Sequence, residues 1–83
     1  MQVTVKLFGA LRQHLPAGSG FNSCQLTITA NSMLNSVLNT LTIPENKEYL
    51  VIINNAKINR EDYASTQLQE NDEIALLPPI KGG

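Results

Sequence analysis

A chain of 83 residues has room for one domain and one core. A domain that small buries only about 60% of its unfolded surface, which leaves no interior for a large enclosed active site. Six Lys and Arg against seven Asp and Glu give a formal net charge of −1 with the cations scattered, which excludes a basic stripe along a phosphate backbone.

Val3, Val5 and Leu7 alternate with Gln2, Thr4, Lys6 and Phe8, the period of a half-buried strand, and Gly9 ends it. Lys6 shares a face with Phe8, so Val3, Val5 and Leu7 are assigned to the core and Phe8 to the outside. A short helical turn is expected over Ala10–Leu15, closed by Pro16 and the Gly18-Ser19-Gly20 loop. Cys24, Leu26 and Ile28 then alternate with Gln25, Thr27 and Thr29, a second strand expected to pair antiparallel with the first. The period changes at Leu34, Val37, Leu38 and Leu41, which form the apolar stripe of a helix from about Ser32 to Leu41. Asn31 or Ser32 is the expected cap, and Pro44 stands beyond its end. Tyr49–Ile53 reads as a strand, and Asn54-Asn55 can take positive φ in a tight turn leading to a short strand around Lys57-Ile58. Arg60–Gln67 reads as polar and irregular, Glu70-Asn71-Asp72 as a turn, and Glu73–Leu77 as the last strand. Pro78-Pro79 ends that strand, having no N–H to give the ladder.

This is an α+β order, and one helix covers one face of a sheet. Yet Leu50–Ile53 and Ile74–Leu77 offer apolar side chains to both faces. Glu73 shares a face with Ala75 and Leu77 and would be costly to bury, which assigns Ile74 and Leu76 to the core. Phe8 and Leu77 are then exposed anchors for a larger partner on the uncovered face.

Elsewhere the residues carry little chemistry. The N-terminal stretch has no apolar signal region and no run approaches ~18 apolar residues, so the chain is expected to be cytoplasmic, with no membrane partner. Cys24 and His14 are the only residues of their types, which excludes an intramolecular disulfide and a Cys/His zinc site. Cys24 shares a strand face with Leu26 and Ile28 and is read as core packing, His14 as a surface side chain. The adjacent acids Glu61-Asp62 and Asp72-Glu73 are read as solvated turns.

The chain ends Leu77-Pro78-Pro79-Ile80-Lys81-Gly82-Gly83. Two prolines preset an extended exit, and two glycines remove every side chain from the terminus. Such a backbone suits a narrow channel that presents the carboxylate to another protein's active site. Lys81 either steers the tail toward an acidic groove or serves solubility.

With Asn71-Asp72-Glu73-Ile74-Ala75-Leu76, this tail resembles the end of the small subunit of molybdopterin synthase and related ubiquitin-like sulfur carriers. The opening Val3-Thr4-Val5-Lys6-Leu7-Phe8-Gly9-Ala10-Leu11-Arg12 is similar to that family's first strand and turn. The resemblance implies a ubiquitin-like β-grasp: a mixed sheet of four to five strands, one main helix, and the first and last strands parallel side by side. The domain would span residues 1–77 and a flexible extended tail residues 78–83. It further implies a cycle in which an adenylating, ubiquitin-activating-like enzyme uses ATP to activate the Gly83 carboxylate. A sulfur donor then replaces AMP, and the thiocarboxylate gives its sulfur to an acceptor in molybdopterin biosynthesis, held by the large synthase subunit. Gly83 is the reacting residue, while Gly82, Lys81, Ile80, Pro79, Leu77 and Phe8 bind partners. A terminal carboxylate is an unreactive anion at neutral pH, so activation comes from outside. The chain is then a carried substrate with no catalytic machinery, metal or permanently bound cofactor of its own. Alternatives are a carrier for thiamine or another pathway, a ubiquitin-like modifier joined through Gly83 to a partner's lysine, and a plain interaction domain. One departure stands out: the family often has Asn-Gly where this chain has Asn54-Asn55-Ala56, which leaves the turn type open.

Overall fold

In β1 (Gln2–Leu7) every second side chain is buried: Val3, Val5 and Leu7 are at most 1% exposed. The computed structural model describes residues 1–44 and 47–79. A 3-10 helix, Gly9–His14, follows where a short turn is expected, and its Leu11 is buried. β2 (Ser23–Thr27) runs antiparallel to β1, setting Leu26 opposite Val3 and Cys24 opposite Val5.

The helix α1 (Leu34–Thr40) is shorter than its apolar stripe suggests, about 10 Å for seven residues. Leu34, Val37, Leu38 and the following Leu41 are all buried, as the period requires. Neither expected cap serves. The Ser32 hydroxyl donates to the Thr29 carbonyl (2.7 Å), and the Asn31 side-chain oxygen accepts from Gln67 (2.6 Å). The first helical N–H is met by tertiary structure: Leu34 donates to the Thr66 carbonyl at 2.8 Å, and Leu68 donates back to Ser32 at 2.9 Å.

β3 (Leu50–Ile53) and β4 (Ala56–Ile58) form a hairpin in which Val51 faces Ile58 and Ile53 faces Ala56. Asn54 and Asn55 turn it at φ 49° and 72°. Two positive φ values at the centre of a two-residue loop are the type I′ geometry, so Asn55 does what Gly does elsewhere. Arg60–Ser65, read from sequence as irregular, is a 3-10 helix. The Thr66 hydroxyl donates to the Asp62 carbonyl at 2.7 Å and closes its end. Its one half-buried tyrosine, Tyr63, gives no stripe for a period to reveal.

β5 (Glu73–Leu77) lies parallel to β1, with Ile74 opposite Val5 and Leu76 opposite Leu7, and antiparallel to β3. The five-stranded mixed sheet has the order β2-β1-β5-β3-β4, a β-grasp arrangement with the two terminal strands at its centre. Ile74 and Leu76 are fully buried as assigned, and burying a side chain of that size contributes about 1.5–3 kcal/mol relative to exposure.

Asp72 corrects the sequence reading. It is only 8% exposed, not a solvated turn residue. One carboxylate oxygen accepts from the Gln69 N–H and the other from the Asn54 side-chain amide, each at 2.8 Å. The Asn54 side-chain oxygen in turn accepts from the Glu73 N–H at 3.0 Å, stapling the β3–β4 turn to the start of β5. Buried carboxylates need such partners.

Candidate functional site: the tail exit

β5 leaves the sheet between β1 and β3, and its last rung toward β1 is the Phe8 N–H donating to the Leu76 carbonyl at 3.1 Å. Pro78 then ends the pairing because it has no donor. Directly beside it Gly9 takes φ +59°, and a Cβ built on Gly9 would stand 3.0 Å from Pro78 Cγ. The bare Gly9 backbone is therefore what lets Pro78 pack against the end of β1. The sequence shows Gly9 only as a strand terminator; its contact is with a residue near the other end of the chain and leaves no local signal.

Phe8 and Leu77 lie on the sheet face opposite α1, as alternation from Lys6 and Glu73 requires. Both are half-buried, which corrects the expectation that they stand exposed. Leu77 sits opposite Leu50 across the β5–β3 ladder, and such cross-strand neighbours cover each other's flanks. One step further from the tail, Ala75 lies between Lys6 and Ile52. Lys6 pairs with Glu73 at 3.2 Å, and because both side chains are well exposed the bridge contributes little to stability. The face thus carries a short apolar row (Phe8, Leu77, Leu50) next to the exit and a charged pair behind it. Pro79, the last described residue, is half-buried. Ile80, Lys81, Gly82 and Gly83 lie outside the described residues.

A second apolar feature stands at the same end of the sheet. Phe21 is 82% exposed, and the Arg12 guanidinium lies over its ring at 4.3 Å. The next residue, Asn22, accepts from the Leu7 N–H at 2.8 Å, which fixes this loop beside the end of β1. The sequence marks Phe21 only as one of four aromatics.

Cys24 is partly buried and packs against the core, and that burial raises its thiol pKa, with a Ser19 hydrogen bond opposing. A thiol kept protonated is a poor nucleophile, which fits a packing role. His14 is half-buried rather than at the surface, and among the described residues its Nε2 has no hydrogen-bond partner.

A family model described as the ThiS family matches residues 5–83. No curated protein sequence matches the chain. Among solved structures, the complex of subunits 1 and 2 of the molybdopterin-converting factor from Helicobacter pylori is similar at 26% identity and TM-score 0.65, each chain covered over 100%. Small archaeal modifier protein 1 from Methanosarcina acetivorans is similar at 26% identity and TM-score 0.67, covering 99% of this chain and 96% of that one. The modifier from Haloferax volcanii, at 21% identity, TM-score 0.71 and 100% of both chains, bears on the fold alone.

Proposed function

The chain belongs to the ThiS family, and from that premise we propose that it is a sulfur carrier, the small subunit of a molybdopterin-synthase-type complex. The observation that carries the reading is that the family match runs through residue 83 and so takes in the Pro78-to-Gly83 tail along with the sheet. Similarity at 26% identity to a protein solved as a complex of molybdopterin-converting factor subunits supports a large-subunit partner.

In this reading a carboxylate oxygen of Gly83 attacks the α-phosphorus of ATP on an adenylating enzyme and releases pyrophosphate. A sulfide-level donor adds to the acyl carbon and expels AMP, leaving a thiocarboxylate. The carrier contributes position. Phe8, Leu77 and Leu50 seat the sheet on the partner, Gly9 and Pro78 aim the chain, and Pro79, Ile80, Lys81 and Gly82 run through the channel. The carrier needs no catalytic groups of its own for this, and its work belongs in the cytoplasm. Carriage toward thiamine or another product would use the same terminal chemistry with a different acceptor.

A second reading, a protein modifier forming an isopeptide bond from Gly83, is favoured by one observation. The identity to the Methanosarcina modifier equals that to the molybdopterin-converting relative. Intact-mass spectrometry of protein isolated from its own host separates the two. A terminus with one oxygen replaced by sulfur supports the carrier, adducts on substrate lysines support the modifier, and neither species overturns both.

A further inference from the structure

We propose that the free edge of β2 pairs with β2 of a second copy, joining two sheets antiparallel about a two-fold axis. Hydrogen bonding defines that edge. At one end of the β1–β2 ladder Met1 and Ile28 exchange bonds at 2.6 and 2.7 Å, and at the other Leu7 donates to the Asn22 carbonyl at 2.8 Å. Residues 22, 24, 26 and 28 thus turn their backbone groups toward β1, while Ser23, Gln25 and Thr27 turn theirs outward. The Gly20 N–H donates to the Ser23 carbonyl at 2.9 Å, but among the described residues Gln25 and Thr27 have no partner on that side. The opposite edge of the sheet differs. β4 has three residues, and the one that turns its backbone outward is Lys57, a charge of the kind that keeps edges from pairing.

The charge pattern selects the occupant. Between Arg12 and Glu45 the sequence has no Asp, Glu, Lys or Arg, so β2, the loop before it and α1 after it are uncharged. The Met1 ammonium reaches β2 only from the β1 side. Two copies can therefore meet edge to edge without opposing like charges, whereas a charged partner finds nothing there to steer it. A symmetric pair of this strand is antiparallel. With Gln25 opposite Thr27 of the second copy, and the reverse, each open N–H meets an open carbonyl. Leu26 then faces Leu26 of the second copy, and Cys24 faces Ile28, at the closely spaced positions where side chains touch. All three are only partly buried in one chain, so pairing covers apolar flanks left in water. The Gly20 loop and the turn from Thr29 to Ser32 bound the paired stretch. So short a contact falls below about 1,200 Å², the class of weak and transient pairs, so the dimer depends on concentration. β5 lies two strands in from this edge, and pairing leaves the tail exit uncovered.

The test is sedimentation equilibrium of the full chain from about 1 µM to 1 mM. The wild type should pass from monomer to dimer over that range. Gln25→Pro removes an outward N–H, which an edge strand tolerates, and should weaken association about tenfold or more. A chain carrying Gln25→Lys with Thr27→Lys should stay monomeric, as should one carrying Gln25→Glu with Thr27→Glu. Mixing the two should restore a dimer that NaCl weakens, because each lysine then faces a glutamate. These doubly substituted chains carry the test if the proline variant fails to fold. A wild type monomeric at the highest concentration would overturn the proposal. So would a dimer that survives the like-charged substitutions, a mixture that stays monomeric, or a wild-type dimer lost on truncation after Pro79.

Discussion

At Gly9 the left-handed φ of +59° and the 3.0 Å approach to Pro78 leave no place for a side chain. Gly9→Ala should lower stability by about 1–2 kcal/mol in urea melts, the cost of a non-glycine residue in that region, and more if Pro78 cannot shift. It should also slow activation of the tail, since Pro78 sets the exit direction. A variant as stable as the wild type would show that the Gly9 conformation is not required. Neither this contact nor the Asp72 hydrogen bonds could be read from the sequence. Gly9 meets a residue at the far end of the chain, and Asp72 owes its burial to Asn54, eighteen positions away. Adjacent acids look solvated until long-range partners are known. The alternation of Val3, Val5 and Leu7, by contrast, needs only neighbours along the chain, and their burial follows it without exception.

Among the elements, the β3–β4 hairpin was legible because asparagine tolerates the turn it makes. Asn55→Gly should stabilise the protein by a few tenths to about 1 kcal/mol, because glycine at φ 72° carries no Cβ strain. A lower urea midpoint would mean that the Asn55 side chain does more than occupy the turn. The start of α1 was not legible, since its first N–H bonds to Thr66 and no local cap marks it. Phe8→Ala and Leu77→Ala test the apolar row. Each should weaken partner binding by about 2 kcal/mol or more by calorimetry, the range of apolar anchors at interface centres. Because both side chains are half-buried, each should also cost the free protein about 1 kcal/mol. Unchanged affinity with a large loss of stability would show that this face serves the fold alone.

For the whole molecule, the parallel pairing of β1 with β5 sets the geometry of the tail exit, because it brings the end of β1, with Phe8 and Gly9, beside the end of β5. Periodicity cannot reveal that pairing, since the contacts join residues some seventy positions apart, as between Val5 and Ile74. It was available only through resemblance of the opening strand and tail to a known family. The tail's chemistry has the opposite character: it is read from the Gly82-Gly83 terminus itself, beyond the described residues. The measurement that tests the account most directly is therefore sulfur loading of a chain ending at Gly82, beside the full chain, with the adenylating enzyme, ATP and sulfide. The account predicts that intact mass shows the thiocarboxylate on the full chain and none on the truncated one, while circular dichroism and thermal melting of the two coincide. A truncated chain that still accepts sulfur would contradict it.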